Sequence, residues 1–328
     1  MSKINFQKFK TLDELPSLAL LSICYAGYAI ITIHAVDLDV WISIALLVSI
    51  LVLHSSLQHE FIHGHPFSNK MLNDLLVFPS IGLFVPFLRF KDLHLKHHYD
   101  PNLTDPYVDP ESNFMDPEKW YQLSKWRQAL GNFNNTLIGR MLIGPFSDIL
   151  WYYGKDVLEG LKGDQRIAFS YIHHLFGLMS VFAWHMSVSS MPLWIYLIAA
   201  YLAMSVLKVR TFLEHTAHER IGFRTVVIED RGLLALLFLN NNYHAVHHSN
   251  PRLTWHRLPE EFNKHRAEFL HRNDGYWFKS YWNVFRLYFF NIKDPVPHPL
   301  MEKSHGGTVT LPSNFSDDKK LQSTNLPK

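Results

Sequence analysis

Apolar residues in this chain are gathered into runs separated by long polar stretches. Ser17 to Val36 (SLALLSICYAGYAIITIHAV) holds no charged residue. It is about as long as the roughly 20 residues a helix needs to cross a bilayer. Val40 to Leu57 repeats the pattern after the short break Asp37-Leu38-Asp39, and Ile167 to Met186 and Met191 to Val209 form a second pair joined by SVSS. The pattern predicts four transmembrane helices, at about 17–36, 40–57, 167–186 and 191–209, folded as two tight hairpins. Four buried helices of a soluble core are the competing reading, and two such hairpins argue against it. The first run is longer than the apolar part of a secretory signal and a second span follows at once, so a cleaved signal is not expected.

Each hairpin returns the chain to the side it left. Lys3, Lys8 and Lys10 precede the first, and the long loop after it is rich in Lys and Arg. The positive-inside rule therefore places both termini and the large polar parts in the cytoplasm. Leu75 to Phe90 is apolar but short, and Pro79 and Pro86 within it favour a half-buried or surface-lying segment over a span. Trp120, Leu123, Trp126 and Leu130 recur at helical spacing among Lys119, Lys125 and Arg127, which predicts one helix, either interfacial or packed on a cytosolic core. The aromatic run from Gly275 to Phe290 has a similar interfacial character. Residues 301–328 lack apolar periodicity and read as a disordered tail. The expected fold is thus an all-α membrane protein, one domain over residues 1–300, with a cytosolic helical cap on the two hairpins.

Composition adds one anomaly. Histidine occurs 21 times in 328 residues, against 15 glycines and one cysteine. A formal net charge of +2 gives no basic field for nucleic acid. Lone Cys24, inside an apolar run, offers neither a disulfide framework nor a thiolate metal site. Any metal must be held by imidazole and carboxylate, ligands that suit iron, zinc, copper and manganese.

The histidines concentrate in four places. QHEFIHGHP places His59 and His63 four residues apart, on one helical face. HLKHHYD offers His94, His97 and His98 at i, i+3 and i+4, again one face. LEHTAH, at the end of the fourth span, offers His215 and His218, and NNNYHAVHH repeats HxxHH with His244, His247 and His248. His34, His54, His173, His174 and His185 stand outside these motifs and read as ordinary core or surface residues. With one histidine from LEHTAH the motifs supply nine imidazoles, too many for one ion, since a zinc is satisfied by four ligands. Two metals with open positions fit the count, and imidazole-rich, thiolate-free ligation favours a redox-active iron pair. A zinc protease would use HExxH alone and leave the HxxHH boxes without a task. A metal transporter would want more mid-membrane ionisable residues than His34 and His185.

HEFIH, HLKHH and HAVHH, in this order after paired spans, resemble the three histidine boxes of the integral-membrane fatty acid desaturase and hydroxylase superfamily. QHEFIHGHP, TDPYVDPES and NNNYHAVHHSNPRLTWHRLP look most like a bacterial stand-alone branch similar to the dihydrorhizobitoxine desaturase. The resemblance runs from about His54 to Leu258. It implies a di-iron centre using O2 to desaturate or hydroxylate a lipid or other aliphatic substrate, including one derived from an amino acid, and a multi-pass protein of the bacterial inner membrane with a cytoplasmic active site. The ligands it implies are His59, His63, His94, His97, His98, His244, His247 and His248, with His215 as the ninth and His218 its competitor. Electrons would come from a separate ferredoxin-like or cytochrome donor with its reductase, because HPLMEKSHGG lacks the haem box of a fused cytochrome.

Several acids and amides are further candidates. Glu60, Asp100 and Glu214 are placed to orient imidazole N–H groups. Asn241 and Asn242 could hold a metal-bound water. Asp105, Asp109 and Glu111 form a proline-rich loop expected to be a solvated turn, with capping of the site or contact with a polar substrate head as the alternatives.

Overall fold

The computed structural model describes residues 13–99 and 101–301. Lys3, Lys8 and Lys10, Asp100 and the expected tail from residue 302 onward lie outside the described residues. Among the described residues the chain is mostly helical, with two two-residue strands. In order come α1 (Leu15–Ile33), α2 (Val40–Ile62), α3 (Lys70–Leu76), α4 (Phe87–Tyr99), α5 (Pro117–Gln122), α6 (Lys125–Asn134), α7 (Leu137–Leu161), α8 (Gln165–Ser187) and α9 (Leu193–Thr211). After these come β1 (Val227–Ile228), α10 (Leu233–Leu237), α11 (His244–Ser249), α12 (Leu258–Lys264), α13 (Arg266–Arg272), β2 (Trp277–Phe278) and α14 (Tyr281–Tyr288).

Four of these, α1, α2, α8 and α9, are long and apolar enough to cross a membrane, and they coincide with the four predicted spans. On α8 the side chains of Phe169, Ile172, Leu175, Phe176 and Met179 are each more than half exposed. Burying a side chain of this kind is worth about 1.5–3 kcal/mol, so such a face belongs in lipid. The protein is an integral membrane protein.

The chain falls into two compact units: Met1–Asp92, Ile149–Met204 and Arg252–His256 form one, and Leu93–Asp148, Ser205–Pro251 and Arg257–Lys328 the other. In the first, Asp39 caps α2 by accepting from the Trp41 and Ile42 amides, closing the turn between α1 and α2. The Tyr25 hydroxyl donates to the Leu76 carbonyl at 2.7 Å and lies 3.2 Å from His54 Nε2, so three helices share one polar contact inside apolar surroundings. The two hairpin turns meet: the Ser190 amide donates to the Thr32 carbonyl at 2.9 Å, and the Trp184 indole donates to the Thr32 hydroxyl at 3.0 Å. Residues 77–86 do not span; the hydroxyls of Tyr196 and Tyr153 hold the carbonyls of Ile81 and Phe84. A Cβ on Gly177 of α8 would come within 3.0 Å of the Phe78 carbonyl, so glycine lets this loop lie close against α8 without a shift.

Two features differ from the sequence expectation. The helix predicted through Trp120, Leu123, Trp126 and Leu130 is broken at Leu123-Ser124 into α5 and α6, so Trp120 is buried and Trp126 exposed. Helix α7 is absent from the apolar pattern, because Arg140, Asp148, Lys155, Asp156 and Glu159 interrupt its apolar run and Pro145 lies within it. Those charges have partners: Asp156 accepts from the Arg89 guanidinium at 2.8 Å and from the Tyr171 hydroxyl at 3.0 Å.

In the second unit β1 and β2 pair in parallel, Val227 opposite Trp277 and Ile228 opposite Phe278. Leu213, Val226, Val227, Phe238, Val246, Phe262 and Val284 form its closely packed core. The Ala245 amide donates to the Val226 carbonyl at 2.9 Å, fixing α11 on the strand.

Candidate metal centre

Helical geometry places most of the candidate histidines. In α4, spacing i, i+3, i+4 puts His94, His97 and His98 on one face, and α11 does the same for His244, His247 and His248. His59 lies in the last turn of α2 and His63 is its C-cap. His215 lies just beyond α9, where a single antiparallel bridge to Thr225 fixes its backbone.

Within the second unit these rings form two groups. One nitrogen from each of His97, His215, His244 and His248 lies within 4.8 Å of the others, and the same holds for His94, His98 and His247. In the first group His215 Nε2 is 2.9 Å from His97 Nε2 and 3.1 Å from His244 Nε2. In the second, His98 Nε2 and His247 Nε2 are 3.1 Å apart. Two nitrogens each about 2.1 Å from one ion and at right angles to each other sit about 3.0 Å apart, so these separations are those of ligands around a common cation. In the first unit His59 and His63 pack edge to face, their ring centroids 5.1 Å apart.

Acids set the direction of two rings. Asp109 Oδ1 lies 2.7 Å from His97 Nδ1, and Glu111 Oε1 lies 2.8 Å from His94 Nδ1. The Nδ1 proton of each ring is donated to its carboxylate, which leaves the Nε2 lone pair facing the neighbouring histidines. The Asp109 carboxylate accepts two more bonds, from the Glu111 amide at 2.9 Å and the Thr104 amide at 2.7 Å. His215 Nδ1 and His248 Nε2 are buried with no hydrogen-bond partner among the described residues. Convergent lone pairs, the orphaned His248 Nε2 and carboxylates behind the rings are what a bound cation satisfies. The residues present therefore fit metal ions.

The electrostatics agree. Burial depresses the pKa of His98 to about 2, with the His94 and His97 charges adding to the effect. Burial, then neighbouring imidazoles, hold His215, His244 and His248 well below the usual range, so these rings are neutral and able to ligate. His97 differs: burial pulls its pKa down, but the Glu111 charge and the Asp109 hydrogen bond outweigh that and raise it to about 9. Burial pushes Glu111 up, and His97 and His94 more than offset this, holding it well below the usual carboxylate range. The loop thus calls for positive charge beside His97, which a proton or a metal ion can supply.

The histidine boxes stand where their spacing predicts, but several partners do not. His218 is outside both groups; its Nδ1 accepts from the Arg220 amide at 3.0 Å and its ring stacks on Phe223. The expectation of a solvated acidic turn is overturned, since Asp109 is buried and holds His97 while Glu111 holds His94; Asp105 alone caps a turn, accepting from the Tyr107 and Val108 amides. Glu60 accepts from the Trp255 amide at 3.1 Å and lies 3.9 Å from His65 Nε2, so it is engaged away from the motif histidines. Glu214 comes only within 3.8 Å of His244 Nδ1, and the nearer contact there is Asn241 Oδ1 at 3.4 Å. Asn241 also donates to Glu214 at 2.9 Å, so it supports a ring instead of presenting a water. Asn242 spends its amide on the Ile228 and Asp230 carbonyls. Lys293, which no sequence motif marks, donates to the His215 carbonyl and pairs with Asp294.

Four apolar spans and two buried imidazole groups define an integral-membrane protein with a site consistent with a pair of metal ions. The model of the fatty acid desaturase family matches residues 38–280, most of the chain, and the chain belongs to that family. It is accordingly an enzyme, an oxidoreductase of the desaturase family, and membership of that family implies a lipid substrate. No curated protein matches the chain.

Proposed function

We propose that residues 1–300 act as one catalytic domain, a di-iron, O2-dependent oxidoreductase that introduces a double bond into an acyl chain or similar aliphatic substrate. The proposed ligands are His59, His63, His94, His97, His98, His215, His244, His247 and His248. The observation that carries the reading is the convergence of the His97, His215 and His244 Nε2 atoms, with the His97 Nδ1 proton committed to Asp109. An iron pair held by these histidines would supply the O2 activation and hydrogen abstraction that no amino-acid side chain performs. Overall, one –CH2–CH2– unit, O2, two electrons and two protons become –CH=CH– and two waters.

The chain's own part is to orient. Asp109 and Glu111 hold two rings in the tautomer that aims Nε2 inward and make those rings better donors. Both termini and the histidine boxes lie on the cytoplasmic side in this reading, which rests on the Lys and Arg distribution. The bacterial inner membrane and an amino-acid-derived substrate are supported only by the likeness of QHEFIHGHP and TDPYVDPES to one bacterial branch. A separate ferredoxin-like or cytochrome donor with its reductase provides the electrons.

Hydroxylation or ketolation by the same superfamily chemistry is the second reading, because the three boxes are common to both. Expression with a suitable reductase, followed by mass spectrometry of lipids and small metabolites, separates them. A product about two mass units lighter means desaturation, and one about sixteen heavier means hydroxylation. Metal analysis giving one zinc per chain in place of about two irons would refute the di-iron assignment.

A further inference from the structure

The acidic loop behind His94 and His97 is itself held from the far end of the chain. Thr104 opens the loop at φ 72°, a left-handed conformation that strains a β-branched residue. It is 1% exposed, and each of its polar groups is engaged. Its amide donates to Asp109 Oδ2 at 2.7 Å and its carbonyl accepts from the Ser112 hydroxyl at 2.7 Å. Its hydroxyl lies 3.2 Å from His298 Nε2 and accepts from Arg224 Nη1 at 3.2 Å. His298 Nδ1 accepts the Leu300 amide at 3.3 Å, which assigns the ring proton to Nε2 and makes His298 the donor to Thr104.

The segment carrying His298 is well anchored. The Met115 amide donates to the Val296 carbonyl and the His298 amide to the Met115 carbonyl, both at 2.8 Å, and Phe114 packs edge to face on the His298 ring. A few residues earlier, Lys293 donates to the His215 carbonyl and Asp294 Oδ1 accepts from the Thr216 hydroxyl at 3.3 Å. Residues 293–298 thus reach two histidines of the same group: His215 directly, and His97 through Thr104 and Asp109. All lie beyond residue 280, where the family match ends.

We propose that residues 293–298 are a latch that positions the four-histidine group. His298, with Arg224, keeps Thr104 left-handed so that its amide pins Asp109 and Asp109 pins His97. Lys293 and Asp294 fix the His215 backbone. His298 and Thr104 are positioning residues, acting through Asp109. The inference rests on His97 being a metal ligand.

The test uses the full-length chain, iron-loaded in lipid nanodiscs and challenged with excess chelator, with iron per chain and the Mössbauer spectrum followed over time. Breaking the latch with His298→Leu or with Thr104→Val, which keeps the β-branch but not the hydroxyl, should speed iron loss about tenfold, the lower end of the effect of outer partners on metal affinity. The loss should begin at one iron of the pair, whose signal alone shifts. His298→Gln can still donate and Thr104→Ser still accept, so both should stay within about twofold of the parent. Parent-like retention in His298→Leu and Thr104→Val would overturn the latch. So would a His298→Gln protein that loses iron as fast as His298→Leu, or simultaneous loss of both irons, which general loosening would give. His97→Ala separates the two ideas: if it keeps the parent's iron the ligand reading itself fails, whereas if it loses iron and His298→Leu does not, only the latch fails.

Discussion

Replacing Asp109 by asparagine keeps the size of the side chain but changes what it can accept. The three groups around this carboxylate are all donors: His97 Nδ1–H and the Glu111 amide at Oδ1, and the Thr104 amide at Oδ2. An amide has one acceptor atom, so asparagine must present its NH2 to at least one of them. With the oxygen toward His97, the Thr104 N–H is left buried against a second donor. With the amide flipped, NH2 meets His97 and drives its proton to Nε2, the atom that faces His215. Either outcome forfeits a charge-assisted hydrogen bond worth about 1.5–3 kcal/mol. At about 1.4 kcal/mol per tenfold, metal affinity should fall roughly 10- to 100-fold. Competition between the purified Asp109→Asn protein and a chelator of known affinity measures this directly. A protein that stays folded and binds metal within about threefold of the parent would show that Asp109 does not act through His97.

Two further outcomes concern His215 and Tyr25. His215→Ala should abolish turnover and lower the metal content with the protein still in the membrane, whereas His218→Ala should retain both; a His218→Ala protein devoid of metal would reverse that assignment. Tyr25→Phe removes the hydroxyl shared by Leu76 and His54, which should cost about 1–3 kcal/mol and lower the thermal midpoint in nanodiscs by a few degrees; an unchanged midpoint would mean this contact contributes nothing to stability.

The features legible in the sequence are those with a period or a run. The spans are uninterrupted apolar stretches, and the HxxHH boxes are helical faces, so α1, α2, α8, α9 and the histidine faces of α4 and α11 are readable from the order of residues alone; how those histidines divide into two groups is not. Helix α7 is not, since its Asp156 and Glu159 look like solvent-facing charges until Arg89, distant in sequence, supplies their partner. Asp109 and Glu111 stand out as acids but read as a solvated turn, because contacts across an irregular loop leave no periodic trace. A DPES stretch soon after HxxHH, with acids separated from the box only by a turn, is the signal that could have found them. Thr104 and His298 meet across most of the second unit's sequence, and nothing local in either residue announces the other.

The two loop carboxylates also bear on reduction potential. Nine neutral imidazoles would leave a metal pair with its full positive charge and make it readily reduced. Asp109 and Glu111, drawing the Nδ1 protons of His97 and His94, make those rings more electron-rich and place negative charge just behind them. Negative charge behind a ligand favours the oxidised metal, and the effect is strong where the surroundings are buried. In the proposed di-iron reading, the potential a redox partner must reach to reduce the centre would therefore be tuned by two residues of a short loop, and the match to a donor would depend on that loop as well as on the surface the donor meets.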